Sequence, residues 1–182
     1  GTVSLVSQNY GGGDDERAAS VVRLSVVLAV ALGIPIVAFL GLAAEPLVGL
    51  VGDDPTSIGY GATYLAVVAP GLLFEFLNLI ASRTYAGVGD TVTPMVARAG
   101  GAVANIALSA TFVLEFDMGV AGAALGTALA TALVTVAFSW GMTGRNYVRG
   151  RGASPVPLTL ARPFFDLELL RQIARVSTPL VA

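Results

Sequence analysis

Four long apolar stretches constrain this chain more than any other feature of its sequence. The first, from Leu24 to Ala44, contains 21 residues and no charged side chain. About 20 apolar residues are enough for a helix to cross the hydrocarbon core of a bilayer. Three further stretches of similar length follow, at 60–85, 94–114 and 120–142. The sequence therefore predicts an all-α fold, a polytopic transmembrane helical bundle.

The composition agrees with a lipid environment and excludes several kinds of chemistry. Charged residues make up 12% of the chain, about half of the share that is usual for soluble domains. Cysteine and histidine are absent, which removes disulfides, thiol nucleophiles, zinc sites built on these residues and the Ser-His-Asp arrangement. We therefore expect no resident metal, no organic cofactor and no enzymatic activity.

The breaks between the apolar stretches predict how the chain is divided. Residues 1–10 are interpreted as the end of a preceding transmembrane helix, which a run of three glycines terminates. Residues 18–142 hold the four spans. A Gly/Pro/Arg-rich stretch at 143–165 is interpreted as a basic linker, and 166–182 as the lead-in to the first helix of a second lobe.

The distribution of arginines predicts the orientation of the spans. All ten basic residues are arginines, and they lie before the first span, around the turn between the second and third, and after the fourth. The connections at 45–59 and 115–119 contain acidic residues and no basic one. Because arginine is retained on the cytoplasmic side, we expect these two connections outside the cell and the basic loops, including the linker, in the cytoplasm. The chain is thus expected to be a multi-pass protein of the cell membrane, with the lipid bilayer as a partner.

Glu75 lies near the middle of the second stretch, where a carboxylate costs roughly 2.5 to 3.5 kcal/mol on insertion scales. Gly71, Asn78 and Ser82 share its face of the predicted helix. Two interpretations stay open. Glu75, with Asn78 beside it, could form a proton or cation site, or it could make an interhelical hydrogen bond as a carboxyl group that burial keeps protonated.

The third and fourth stretches carry neutral polar residues at helical spacing. Asn105 and Ser109 follow Gly101 at intervals of four, and Thr127 begins a row of hydroxyls at the same interval: Thr131, Thr135 and Ser139. We interpret that row as helix packing, because small residues and hydroxyls let backbones approach in lipid. An amide in the middle of a span has four hydrogen-bonding positions to satisfy. We therefore expect Asn105 and Thr127 to face each other or a shared polar cavity.

Two glycine-rich stretches, at 11–13 and 87–90, are interpreted as turns, because neither has the remaining residues of a phosphate-binding loop. The arginine-rich linker is interpreted as a cytoplasmic loop that can contact lipid head groups. No nucleic-acid partner is expected.

Three motifs resemble those of one transporter family. The stretch 5–14, LVSQNYGGGD, resembles the turn after the second helix of the multidrug and toxic compound extrusion (MATE) transporters. The stretch 85–95, YAGVGDTVTPM, is similar to the family's turn between helices four and five, and 119–127, GVAGAALGT, to its entry into helix six. The resemblance implies a secondary transporter of two six-helix lobes, with this chain extending from the first lobe into the start of the second.

The resemblance also implies a function and part of a site. Family members export organic cations or other amphipathic compounds as sodium ions or protons enter, so we expect small amphipathic or cationic substrates. The cation site of archaeal and related members uses an aspartate of helix one, an asparagine and an aspartate four apart on helix five, and a threonine of helix six. Asn105 and Thr127 match by position, Ser109 stands where the second aspartate would be, and Glu75 lies outside this pattern.

Two other functions were compared with this multidrug antiporter. A lipid-linked oligosaccharide flippase of the same superfamily should place more basic residues toward its central cavity, and the sequence predicts no arginine in the middle of a span. An intramembrane enzyme acting through Glu75 lacks a partner acid, a low-pKa nucleophile and a metal-ligand cluster. The antiporter is the function that we expect.

The predicted orientation can be tested by labelling single cysteines. Residues placed at 53–56 and at 115–119 of the full-length protein should react with an impermeant thiol reagent in intact cells, because every arginine lies on the opposite side. Labelling that requires permeabilised cells would contradict the orientation.

Overall fold

The computed structural model describes residues 2–142 and Arg171, and the regular elements in that part of the chain are helices. They are α1 (Thr2–Gly11), α2 (Asp15–Leu42), α3 (Ala44–Gly49), α4 (Pro55–Gly87), α5 (Val92–Ala110) with a π-helical turn (Thr111–Glu115), and α6 (Gly119–Met142). Within these residues α2, α4, α5 with its π turn, and α6 are long and apolar enough to cross a membrane. The all-α polytopic fold and its four spans are confirmed. The expected linker at 143–165 and the lead-in at 166–182 lie outside the described residues, apart from Arg171.

Two spans begin before their apolar stretches because aspartates cap them. The Asp14 carboxylate accepts a hydrogen bond of 2.9 Å from the backbone N–H of Arg17 at the start of α2. The Asp54 carboxylate accepts one of 2.8 Å from the backbone N–H of Ser57 at the start of α4. The hydroxyl and then the backbone N–H of Ser57 hold the pKa of Asp54 below its ordinary value. Apolar stretches therefore mark the hydrocarbon-spanning part of a helix, and capped polar turns extend it into water.

Two short elements were not predicted from the sequence. Helix α3 lies within the connection at 45–59, and the π turn closes α5, where the backbone N–H of Phe116 donates to the carbonyl of Thr111 over 3.2 Å. Neither is long enough to produce a clear hydrophobic period. After the π turn, Asp117 and Gly119 both take a φ of 52°, and α6 begins at Gly119.

The described helices divide into two compact units. The first contains residues 2–29, 77–97 and 136–142, and its apolar cluster joins α1 to the beginning of α2. The buried members of this cluster are Leu5, Val6, Ala18, Ala19, Val21, Val22 and Leu24. In the same unit the rings of Tyr85 and Phe138 lie with centroids 5.8 Å apart. This packing ties the end of α4 to the end of α6.

The turn between α4 and α5 is fixed by Asp90 in the same unit. Its Oδ1 accepts hydrogen bonds from the backbone N–H groups of Val92 (3.1 Å) and Thr93 (3.0 Å), and its Oδ2 accepts one of 2.6 Å from the Thr93 hydroxyl. Gly89 precedes Asp90 and has a φ of 84°. Residues with a side chain rarely adopt this left-handed backbone conformation, whereas glycine adopts it easily. The Gly-Asp-Thr motif is therefore a helix stop followed directly by a helix cap.

The second unit contains residues 30–76 and 98–135, and glycines set the close spacing of its helices. A Cβ placed on Gly71 of α4 would lie 3.1 Å from the Cα of Ala128 on α6. A Cβ placed on Gly126 of α6 would lie 2.6 Å from the backbone nitrogen of Ser109 on α5. Backbone groups therefore meet almost directly, as small residues permit in membranes.

A single methyl group should reveal the importance of this spacing. We expect Gly126→Ala to lower the free energy of unfolding of the full-length protein in detergent by about 1 to 3 kcal/mol, because the α5 backbone must move. The unfolding temperature should fall accordingly. The matched control is Gly100→Ala on α5, where an added Cβ meets nothing within 4 Å and gains helix propensity. Equal unfolding temperatures for the two variants would contradict the packing described here.

Candidate functional site

One face of α5 carries the polar side chains of the second unit. Arg98, Asn105 and Ser109 are seven and four positions apart, which places them within about 40° on a helix of 3.6 residues per turn. The opposite face presents Val103, which is 68% exposed, and Ile106, which is 70% exposed, lies between the two faces. A helix in lipid is expected to turn its polar face toward other helices. Here that face meets α4 and α6.

Asn105 and Thr127 are joined by a hydrogen bond between α5 and α6. The side-chain Nδ2 of Asn105 donates to the Thr127 hydroxyl over 3.0 Å, and this hydroxyl donates to the Ala123 carbonyl over 3.0 Å. The predicted contact between the two residues is confirmed. Within the described residues, the Asn105 Oδ1 accepts no hydrogen bond, so an oxygen ligand remains available beside the contact.

Ser109 completes this neutral network. Its hydroxyl donates to the same Ala123 carbonyl over 3.3 Å, so that carbonyl accepts bonds from both Thr127 and Ser109. The position therefore supplies a hydroxyl where the resemblance implies a carboxylate. Among the described residues no cluster of three acidic, cysteine or histidine side chains could hold a metal ion. Asn105, Ser109 and Thr127 form a polar site without charge.

Such a site can solvate a small cation only in part. Removing a cation from water demands strong compensating ligands, and sodium-like hard cations are held by several oxygens that usually include carboxylates. An amide oxygen and a hydroxyl oxygen supply dipoles but no neutralising charge. The network therefore offers neutral oxygen atoms but no charge that could neutralise a cation.

Glu75 does not join this network but pairs with Arg98. Its Oε1 lies 3.1 Å from the Nη1 of Arg98, and the side chains of Arg98 and Glu75 are 44% and 46% exposed. Glu75 therefore makes an interhelical hydrogen bond, which one of the two interpretations expected, but its side chain is half-exposed rather than buried. Arg98 lies in the second turn of α5, close to the turn between α4 and α5 that the sequence predicts it to flank.

The partnership of Glu75 with Arg98 was missed, although the sequence contained a signal for it. The two residues lie on helices joined by a short turn, about 18 Å before the end of α4 at Gly87 and about 9 Å after the start of α5 at Val92. Antiparallel neighbours bring such positions close together, and the long arginine side chain covers the remaining offset.

Asn78 is enclosed by protein, and the threonines of α6 hydrogen-bond to backbone carbonyls. Asn78 belongs to the first unit and is 1% exposed, so it is enclosed by protein. Thr131 donates to the Thr127 carbonyl over 2.8 Å, and Thr135 contacts the carbonyls of Thr131 (3.1 Å) and Phe74 (3.3 Å). The last contact connects α6 to α4. For Thr135 this contact confirms the packing interpretation.

Comparisons with known proteins identify similar chains. The family model MatE matches residues 1–111. The probable multidrug resistance protein YpnP of Bacillus subtilis is 33% identical over 141 residues, which cover 78% of this chain and 31% of YpnP. The multidrug export protein MepA of Staphylococcus saprophyticus is 25% identical over 97% of this chain and 38% of MepA.

The fold is also similar to that of solved MATE structures. A crystal structure of a MATE protein in the bent conformation superposes with a TM-score of 0.83 and 26% identity, covering 98% of this chain and 38% of that one. This chain thus spans about a third of the length of the relatives that it matches. It has the helical arrangement of that part of a multi-pass membrane transporter.

The contact between Asn105 and Thr127 should appear as an energetic coupling. A double-mutant cycle combines Asn105→Leu with Thr127→Val and is measured by unfolding of the full-length protein. We expect a coupling energy between the two side chains of about 0.6 kcal/mol and at most about 1.7 kcal/mol. The control cycle pairs Asn105→Leu with Thr111→Val, whose hydroxyl bonds the Ala107 carbonyl of its own helix. A coupling no larger than the control would mean that the hydrogen bond does not hold the two helices together.

Proposed function

The chain belongs to the MATE family, and on this premise we propose that it is part of a secondary active multidrug exporter. Such a protein would move small amphipathic or cationic compounds out of the cell as sodium ions or protons enter. The observation that carries the proposal is the family match over residues 1–111. The relatives named as multidrug export and multidrug resistance proteins support it, since they align with most of this chain.

We further propose that Asn105, Ser109 and Thr127 form the neutral half of the coupling-ion site. Their contacts support this role in two ways. The hydrogen bonds to Thr127 and Ala123 hold the side chains in place before a ligand arrives, and the free Oδ1 of Asn105 offers an oxygen. Groups held in place in advance lose less entropy on binding.

The neutralising carboxylate of this site would come from another segment. Glu75 is engaged with Arg98, and that pair already balances its charge. The family resemblance implies an aspartate on the first helix of the lobe. A site that is completed only when segments come together suits a transporter, because its affinity then changes with conformation.

The alternatives receive less support from the structure. A flippase that binds anionic lipid-linked substrates would be expected to direct unneutralised basic groups into its cavity. Arg98 lies inside a span, but it is paired with Glu75. The same pair removes Glu75 as an isolated acid for an intramembrane enzyme, and no metal-ligand cluster is found among the described residues.

The proposed function can be tested with the full-length protein in sealed vesicles. Efflux of an organic cationic dye should accelerate when a sodium or proton gradient is imposed. We expect Asn105→Leu to reduce this gradient-dependent component by about tenfold or more, since a ligand to the coupling ion is lost. The matched control is Val103→Leu, an apolar exchange on the exposed face of the same helix.

Two results would contradict the proposal. Dye movement that responds to neither gradient would argue against a secondary exporter. Unchanged gradient dependence in Asn105→Leu at equal protein content would leave the exporter in place but remove Asn105 from the ion site.

A further inference from the structure

Two prolines lie at one level of neighbouring helices in the second unit. Pro35 is inside α2 and Pro70 is inside α4. A Cβ placed on Gly33 of α2 would lie 2.7 Å from the Cδ1 of Leu73 on α4, so the two helices are in contact there. Pro35 follows Gly33 by about 3 Å along its helix, and Pro70 precedes Leu73 by about 4.5 Å. Because α3 joins α2 and α4 as antiparallel neighbours, both prolines are displaced from this contact toward the same side.

Each proline removes one backbone hydrogen bond at this level. A proline nitrogen carries no hydrogen, so Pro35 cannot donate to the carbonyl of Ala31, and Pro70 cannot donate to that of Ala66. The proline ring also crowds this carbonyl, and helices bend at such positions. Bending α2 or α4 at this level therefore breaks one hydrogen bond fewer than bending either helix elsewhere.

The part of α4 that follows Pro70 is fastened to α5 and α6. Gly71 lies directly against the backbone of α6. The carbonyl of Phe74 accepts a hydrogen bond of 3.3 Å from a threonine of α6, and Glu75 pairs with an arginine of α5 over 3.1 Å. These three contacts hold α4 in place immediately after the proline.

Residues 36–69, on the other side of the two prolines, are tied to one another, and we name them the distal segment. The backbone N–H of Leu47 donates to the carbonyl of Ala43 over 3.0 Å, which joins α3 to the end of α2. A Cβ placed on Gly61 of α4 would lie 2.8 Å from the Cγ1 of Val48 on α3. Among the described residues, no side-chain hydrogen bond or ion pair connects the distal segment with α5 or α6.

We propose that the distal segment bends as one body about Pro35 and Pro70, while the part of α4 that follows keeps its contacts with α5 and α6. Two weakened points at one level let both helices turn about a common line, whereas weakened points at different levels would force α2 and α4 to slide past each other. The close contact between Gly61 and Val48 makes the two helix ends move together. The inference goes beyond the proposed export function, to which it adds a moving part, and the bending itself depends on neither the substrate nor the ion.

Distances between spin labels test this motion in the full-length protein. Labels are attached to single cysteines, in a parent without other cysteines, at glycines where an added Cβ meets nothing within 4 Å. Gly59→Cys with Gly100→Cys connects the distal segment with α5. For this pair we expect two distances, of which the less populated belongs to the bent form. Gly41→Cys with Gly59→Cys lies within the distal segment and should give one narrow distance distribution.

Alanine variants test whether the prolines permit the bending. Pro35→Ala and Pro70→Ala each restore a backbone donor, so bending must then break a hydrogen bond. Each should lower the less populated distance between positions 59 and 100 by about three- to tenfold. Pro35→Ala is decisive, because Pro35 lies on α2 whereas the labels lie on α4 and α5. The matched control is Pro46→Ala in the first turn of α3, where backbone N–H groups have no partner within the helix. It should leave both distances unchanged.

The distances decide the inference without any measurement of transport. A single narrow distance between positions 59 and 100 in the parent would show that the distal segment is fixed. An effect of Pro70→Ala without one of Pro35→Ala would show that α4 bends alone. A broad distribution between positions 41 and 59 would show that the segment does not move as one body. Alanine is the best helix former, so the variants are expected to fold.

Efflux in vesicles tests the contribution of the bending to export. The double variant Pro35→Ala with Pro70→Ala should slow gradient-driven efflux of a cationic dye by about tenfold or more, because two hydrogen bonds now oppose the motion. Unchanged efflux in this variant would overturn the role of the bending in export. A parent that exports no dye would contradict the proposed function, and the distances would still decide whether the distal segment bends.

Discussion

The close approach of α5 to α6 is the constraint on which the polar network depends. An asparagine and a threonine have short side chains, so they can meet across two helices only where the backbones nearly touch. Gly126 permits this approach, because its missing side chain leaves room for the backbone of Ser109. The hydrogen bond from Asn105 to Thr127 and the two bonds to the Ala123 carbonyl all lie within one turn of this point. Helix packing and site geometry are therefore one property of this unit.

The charged side chain of α5 is satisfied differently from its neutral polar side chains. Neutral groups on α5 are satisfied at close range by α6, whereas Arg98 reaches α4 with a long side chain and pairs with Glu75 over 3.1 Å. Ion pairs that are exposed to water contribute little to stability. In a span, however, leaving either partner alone costs a few kilocalories per mole on insertion scales. The pair is thus explained better by its location in the membrane than by any contribution to folding.

The sequence predicted the spans and the contact between Asn105 and Thr127, but it did not predict the pair. Long charge-free stretches determine a spanning helix almost independently of the rest of the chain, which explains the agreement for Leu24 to Ala44. The contact between Asn105 and Thr127 could be predicted because Gly101 and Gly126 indicate the faces on which α5 and α6 pack. The sequence does not identify Arg98 as the partner of Glu75, since the register between α4 and α5 depends on how the turn between them closes. Helix α3 and the π turn were missed because elements of five or six residues carry no reliable period.

Because helix α5 carries both polar contacts, a movement of α5 would affect them together. Arg98 and Asn105 are seven residues apart on α5, which corresponds to about 10 Å along the axis. A shift of α5 that opened the contact with Thr127 would also change the distance between Arg98 and Glu75, unless α4 moved with it. A ligand can shift such an equilibrium only by its difference in affinity for the two positions of the helix. An ion that bound beside Asn105 and favoured one position of α5 would therefore also favour one arrangement of the pair formed by Arg98 and Glu75.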